Sequence, residues 1–337
     1  MCTDCMQGLF YHWKRYAGMV FLTIFAVDKE ACEQLFETMQ EPRTSTYTIA
    51  RIPLTIEMDR HDSLWEAMDN YRPFLYDGRE APADVAFKLS VVDRLNDTPC
   101  RLLSSRRNPE NGADNMDIYL GEDGLYRFDL FQAGTCKAVV HTHPPFHTAE
   151  AVFEGCLEER HQALNCAVML CYMLAATGRN ALLIHASVVV NNGRGYVFLG
   201  KSGTGKSTHS HLWLQHVEGS TLLNDDNPVV GITDSEIRIY GSPWSGKTAC
   251  YRNIGVPIAA FVRLKQAGSN LLHRLTPAES YASLLASSGT AFGIGNLNGQ
   301  KARLLSQLAE ACPCMLMECR PDQEAAQLCS QQLECRP

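Results

Sequence analysis

The sequence predicts a mixed α/β protein with a β-rich first part, on three observations. Up to about residue 148, short apolar runs are separated by turn-rich strings such as "NPENGAD" (108–114) and "GEDG" (121–124). From there the pattern changes to helices alternating with apolar strands. Within that second part, the glycine-rich string "LGKSGTGKSTHS" (Leu199 to Ser210) stands between a strand-like and a helix-like run.

Taken in order, 18–26 is predicted as a buried strand and 29–39 as a helix. Ser45 to Ile52 reads as a strand and 62–70 as a short helix, followed by strands at 84–92, 115–120, 124–131 and 136–141. A long helix is predicted from about Ala149 to Ala176. Its apolar positions Val152, Phe153, Cys156, Leu157, Leu164, Val168, Met169, Tyr172 and Met173 recur at three-and-four spacing, and Gly178 follows as a C′ glycine. The domain boundary is set just before this helix, giving 1–148 and 149–337. Beyond it, strands are predicted at 182–190, 195–199, 221–224, 229–232, 237–240, 257–264 and 314–319. Helices are predicted at 206–217, 276–288, 298–311 and 322–333.

Composition removes several function classes. With 30 basic and 37 acidic residues, the net charge is -7, and no basic run offers an arm for nucleic acid or anionic lipid. No apolar run reaches membrane-helix length. "AGMVFLTIFAV" (17–27) follows two basic residues but lacks a small-x-small cleavage site, so it reads as a core strand. Cys166 and Cys171 fall inside an apolar helix-like run, which suits free thiols in a reducing cytoplasm. Cys2-x-x-Cys5 is a lone pair, and the alternation in "CMLMEC" (314–319) suits a buried strand better than a metal site.

Gly200-x-x-x-x-Gly205-Lys206-Ser207 matches the phosphate-loop pattern in full. Glycines take backbone angles that a Cβ forbids, their N–H groups turn toward phosphate oxygens, and the following helix adds its positive end. Gly200, Lys201, Ser202, Gly203, Thr204, Gly205, Lys206, Ser207 and Thr208 are therefore the candidate nucleotide-binding residues. Lys206 is placed at the β- and γ-phosphates and Ser207 at Mg²⁺. The preceding run "LLIHASVVV" (182–190) is joined to "GYVFLG" by "NNGRG", a hairpin signal. The loop strand is expected to run antiparallel to its predecessor.

"TLLNDD" ends in Asp225 and Asp226, one helix and one strand past the loop. Two adjacent carboxylates permit a division of labour, one holding a metal and the other accepting a proton. The same string, followed by Asn-Pro, also fits the start of a turn. His185 lies mid-strand among apolar neighbours, as a satisfied core histidine would, but its strand adjoins the loop strand. His141 and His143 in "HTHPPFH" share a strand face, which fits either a metal pair or a strand end. His209 and His211 follow the loop two residues apart. His209 is weighed between an approach to the phosphates and a solvent-facing position.

The ordered set His185, "GKSGTGKS" and Asp225-Asp226 resembles the C-terminal kinase domain of HPr kinase/phosphorylase. More loosely, it is similar to the ATP-dependent phosphoenolpyruvate carboxykinases. The resemblance covers about residues 180–265. It implies a carboxykinase/HPr-kinase-like core behind a β-rich N-terminal domain, and a kinase moving the γ-phosphate of ATP to a hydroxyl acceptor with Mg²⁺. The acceptor would be serine on a protein or peptide, or a small molecule. By the same resemblance Lys206 is catalytic, Asp225 is the base supported by His185, and Ser207 with Asp226 is the metal side. It also implies self-assembly. The chain departs from the family after the acidic pair, where "GSPWSGKTACYRN" (241–253) has no carboxylate but offers Lys247 toward phosphate or an anionic substrate. A carboxykinase-like lyase would require an arginine cluster that is not evident here. A non-catalytic ATP-binding sensor or scaffold module is the other alternative.

Overall fold

The computed structural model describes residues 41–78, 82, 84–106, 115–233, 235–246, 248–289, 294 and 296–334. The strand and helix predicted at 18–26 and 29–39, Cys2, Cys5 and Lys247 lie outside them. By contacts the chain divides into two units, Met1–Arg43 with Asp59–Asp62, and Thr44–Met58 with Ser63–Pro337. The second unit carries the elements described here.

The first sheet has the order β1-β2-β3-β8-β7-β6-β5-β4. Its strands are β1 (Arg43–Ile49), β2 (Ile52–Met58), β3 (Phe87–Val91), β4 (Cys100–Arg106), β5 (Met116–Gly121), β6 (Tyr126–Gln132), β7 (Thr135–Thr142) and β8 (Thr148–Phe153). Ala50 and Arg51, both at positive φ, link the first two strands, so the single strand predicted over 45–52 is the end of one strand and the turn into the next. A short helix α1 (Leu64–Ala67) and a 3₁₀ turn (Asp69–Phe74) precede β3.

The long helix predicted from 149 begins later. Residues 148–153 form β8, paired with β3 and β7, and helix α2 runs over Leu157–Thr177. Alternation decides this segment: Ala149 and Ala151 are buried between exposed Thr148 and Glu150, and pairing on both edges outweighs the helical preference of Ala and Glu. Helix α2 lays Leu164, Ala167, Val168, Cys171 and Tyr172 onto Leu54, Ile56, Leu89, Phe128 and Val140 of the sheet. The Tyr172 hydroxyl donates to the Ile49 carbonyl at 3.1 Å, which satisfies a polar group in that core.

The second sheet is built around a long strand, β15 (Gly255–Gln266). Its order is β12-β10-β11-β15-β14-β13-β9, with β17 and β16 attached through β15. The other strands are β9 (Ala181–Leu183), β10 (Ala186–Asn191), β11 (Arg194–Leu199), β12 (Thr221–Asn224), β13 (Val229–Ile232), β14 (Ile237–Tyr240), β16 (Leu271–Arg274) and β17 (Cys314–Cys319). The first residues of β15 pair antiparallel with β14, and the rest run parallel to β11 and β17. Helices α3 (Lys206–His216) and α6 (Gln323–Glu334) cover one face, with Trp213, Ala325, Ala326 and Cys329 against Tyr196, Phe198 and Val262. Helices α4 (Pro277–Ser287) and α5 (Leu297–Ala311) cover the other, with Leu284, Leu304, Leu305 and Leu308 against Val188, Val197 and Phe261. Among the described residues no helix is long and apolar enough to cross a membrane.

His209 belongs to this core. It is 3% exposed, packs edge-on to Phe198 at 4.8 Å, and its Nε2 accepts from the Trp213 indole at 3.2 Å. It is neither solvent-facing nor free to approach a phosphate. Burial pushes its pKa down to about 4, against an ordinary histidine value near 6.5. The unfolded chain therefore binds this proton more tightly. The stabilisation is complete above pH ~6.5 and declines as pH falls toward the folded value of about 4. Between pH 7 and 4.5 the wild type should lose roughly 2 kcal/mol more stability than His209→Gln, which keeps an acceptor for the indole. Urea unfolding at the two pH values measures the difference, and equal losses would remove His209 as the cause.

Candidate active site

The hairpin of β10 and β11 sets the site. Asn192 and Gly193, both at positive φ, form its two-residue turn, and the strands pair antiparallel from Asn191↔Arg194 to Ala186↔Leu199. That matches the hairpin expected from "NNGRG". Because β10 also pairs antiparallel with β12, the C-terminal ends of β11 and β12 emerge at one edge, beside the N-terminal end of β10. The glycine loop leaves β11 there, Asp225 and Asp226 leave β12, and His185 enters β10. The strand predicted over 182–190 is two strands broken at Ile184 and His185. There the His185 N–H donates to the Ser287 carbonyl at 2.6 Å and Ile184 bridges to Ser288.

Gly203 at φ 78° and Gly205 at φ 104° hold angles that favour glycine, and Gly205 caps α3. The Thr204 hydroxyl donates to the Lys201 carbonyl at 2.7 Å. The Gln266 amide, at the end of β15, reaches the Gly203 and Thr204 carbonyls at 3.3 and 3.4 Å. Lys206 is 9% exposed. Its Nζ donates to the Gly200 carbonyl at 3.0 Å and to His185 Nε2 at 2.9 Å. Burial lowers its pKa, opposed by the charges of Asp226 and then Asp225. A partly desolvated ammonium folded back on its own loop is ready to exchange these partners for phosphate oxygens.

His185 Nδ1 lies 3.0 Å from Asp226 Oδ1. Since the Lys206 ammonium only donates, Nε2 accepts and the ring proton sits on Nδ1, facing the carboxylate. The three side chains thus form the line Lys206–His185–Asp226, and the histidine meets Asp226 rather than Asp225. The other oxygen of Asp226 accepts from the Asn227 amide at 2.8 Å.

Asp225 has different company. It is 6% exposed, and its Oδ1 accepts from the Ser187 hydroxyl at 2.7 Å. Ser187 in turn lies 2.6 Å from the Ser210 hydroxyl on α3. Asp225 Oδ2 is buried with no hydrogen-bond partner. An orphaned carboxylate oxygen fits Mg²⁺, which takes oxygen donors and uses one or two carboxylates plus substrate phosphates. Among the described residues no group of three or more His, Cys, Asp and Glu converges as a metal site on its own. That holds for His141, His143 and the Cys312–Cys319 stretch. His143 faces Asp123 at 3.6 Å, and Cys312 and Cys314 are buried free thiols.

The segment after β14 closes over the acidic pair. A Cβ on Gly246 would come within 3.0 Å of the Asp225 carbonyl, and Thr248 Oγ1 lies 3.5 Å from His211 Nε2. Asn224, fully buried, accepts from the Asp226 N–H at 3.0 Å and donates to Ser242 Oγ at 3.1 Å. Trp244 donates to the Tyr71 hydroxyl at 3.2 Å, tying this segment to the 3₁₀ turn. On the opposite flank of the loop lies a cavity of about 410 Å³, lined among others by Gly205, Thr208, Leu212, Gln266, Arg320 and Pro321. Ser187, Ser210, Asn224 and this cavity have no place in the motif reading. Two of them were within reach of spacing: Ser187 is two residues from His185 on a strand, and Ser210 is one helical turn past Ser207.

No known family profile matches the chain, and no curated protein matches it. Among solved structures, the chain is similar to the HPr(Ser) kinase/phosphatase from Coxiella burnetii, at a TM-score of 0.29 and 11% identity, over 45% of this chain and 88% of that one.

Proposed function

We propose that the chain is a Mg²⁺- and ATP-dependent phosphotransferase that moves the γ-phosphate to a hydroxyl acceptor, a serine on a protein or peptide or a small molecule. The line Lys206–His185–Asp226 at the mouth of the glycine loop carries this reading. A loop that only binds nucleotide has no need of a histidine and a carboxylate trained on its lysine. In this reading the amides of 200–208 and the α3 N-terminus hold the phosphates. Lys206 neutralises charge that develops on the transferring group, and one carboxylate of the Asp225–Asp226 pair takes the acceptor's proton. Mg²⁺ held by the other carboxylate and Ser207 would neutralise phosphate charge. The part carrying the second sheet holds the nucleotide, and the part carrying the first sheet, with β8 and α2, helps recognise the acceptor. Lys247 is assigned to phosphate or acceptor contact.

The cavity beside Gly205 and Thr208 gives the nucleoside a place. It lies across the loop from the acidic pair, at the ends of β15 and β17, so a triphosphate in the loop can point its terminal phosphate one way and its nucleoside the other. Leu212, Leu264 and Pro321 supply apolar wall, and Gln266 and Arg320 supply polar edge.

Titration calorimetry with ATP and Mg²⁺ tests the binding step. Lys206→Ala should weaken ATP by ~10–100-fold, the range for losing a charge-assisted contact. A γ-phosphate transfer assay against a cell lysate should yield a labelled acceptor with wild type and none with Lys206→Ala. ATP binding without transfer to any acceptor would leave a sensor. No binding would end the reading. Ala267→Trp, which fills the cavity, should weaken ATP by about tenfold while leaving inorganic tripolyphosphate unchanged. Equal weakening of both would place the nucleoside elsewhere.

A further inference from the structure

His185 sits in the break between β9 and β10, so no strand ladder aims it. The N–H groups of its neighbours Ile184 and Ala186 donate to the Pro228 and Asp226 carbonyls at 3.1 and 2.9 Å, whereas its own N–H turns the other way, to the Ser287 carbonyl. On that side Ile184 also bridges to Ser288, and the Gly289 N–H donates to the Leu183 carbonyl at 3.4 Å. Residues 287–289 form the C-terminal end of α4, where helix carbonyls lack partners and favour a cation. Lys301 of α5 supplies it. Its Nζ donates to the Gly289 carbonyl and, at 3.4 Å, to the Ser288 carbonyl. The residue is 6% exposed. Among the described residues it meets no carboxylate, and the one charge acting on it is that of Arg106, at the end of β4. Helices α4 and α2, packed against α5, turn no described titratable group toward it. The cost of burying a charge there is offset only by the carbonyls it holds.

Resting on the phosphotransferase reading, we infer that Lys301 is a positioning residue of the site: its ammonium fixes the 287–289 segment, and through the Ser287 carbonyl it sets His185 against Lys206 and Asp226. The ammonium holds the two carbonyls that follow the one receiving the His185 N–H. Burial, and then the Arg106 charge, pushes the Lys301 pKa down to about 8. Below that pH the contacts are charge-assisted, and above it they fall to the strength of neutral hydrogen bonds, about half as strong. The segment then loosens, and His185 loses its fixed place between Lys206 and Asp226. The glycine loop, held by Gln266 on its other flank, keeps its hold on ATP. Lys301 thus acts on transfer and not on nucleotide binding.

Two readouts test this across pH ~6.5 to ~9.5: the NMR signals of the His185 ring without ATP, assigned with His185→Gln, and γ-phosphate transfer at saturating ATP. In the wild type both should change with a midpoint at about 8. Lys301→Arg keeps the charge, so it should transfer at the wild-type rate and show neither change. Lys301→Met removes the charge, so its transfer should be level with pH and about tenfold lower, the scale of a small misplacement. ATP affinity by calorimetry should move less than about threefold in both variants, which also reports that they fold. Arg106→Gln, at an exposed position, removes the opposing charge and should move the midpoint to higher pH. A midpoint that Arg106→Gln leaves in place overturns the inference, even where a Lys301 variant does not fold. So does a midpoint that survives in Lys301→Arg, since it then belongs to another group such as Lys206. Transfer by Lys301→Met at the wild-type rate overturns it as well. A ring signal that follows Lys301 in a protein that transfers phosphate to no acceptor overturns the phosphotransferase reading, and with it the role in transfer.

Discussion

Ala186 lies opposite Leu199 across the β10–β11 hairpin, and this register decides which side chains can meet at the glycine loop. It sets His185 beside Gly200, one residue beyond the last pair on each strand. A shift of one residue would turn His185 and Ser187 to the other face of the sheet, breaking both the contact with Lys206 and the support of Asp225. The two-residue Asn192-Gly193 turn pins the register, since its positive φ values match the twist of the strands it joins. β12 then adds to the far side of β10 with Val188 opposite Asn224, which delivers the acidic pair to the same edge. Thus a local turn preference propagates into the placement of charges far apart in sequence.

The parallel neighbour on the other side of β11 serves a different end. β15 extends past the loop to Gln266, whose amide holds the Gly203 and Thr204 carbonyls, and its terminus with that of β17 walls the cavity. The loop is therefore gripped from both flanks, by Gln266 on one and by Lys206, folded back to the Gly200 carbonyl, on the other. The lysine is partly desolvated there, and burial lowers its proton affinity against the opposing charges of Asp226 and Asp225.

Much of this arrangement was legible from residues with strong local preferences. The glycines of the loop, the Asn-Gly turn and the apolar strand "YVFL" each have one good conformation, and the structure has it. What escaped was decided by tertiary context. Residues 148–153 contain Ala, Glu, Val and Phe, and run straight into a true helix. Only pairing to β3 and β7 makes them a strand. The run 182–190 looks continuous because the break at His185 comes from Ser287 and Ser288, a hundred residues later. His209 carries no sign of burial in its neighbours Thr208 and Ser210. Phe198 and Trp213 enclose it, and the indole turns its nitrogen into a satisfied acceptor.

The same limit applies to Asp225 and Asp226, which a sequence presents as interchangeable. Side chains at successive positions near a strand end diverge, so neighbours in the chain can enter separate environments. Here one faces two buried hydroxyls and the other faces an imidazole at the rim. The hydroxyls are small and uncharged, so they fix geometry without neutralising the carboxylate. The imidazole is tied at its far nitrogen to an ammonium, which fixes its tautomer and aims its N–H at Asp226. A carboxylate held this way stays anchored while its remaining lone pairs are open toward solvent. Different surroundings for two identical groups therefore require no difference in the groups themselves. They follow from which elements the hairpin and its neighbours bring to each side of the pair.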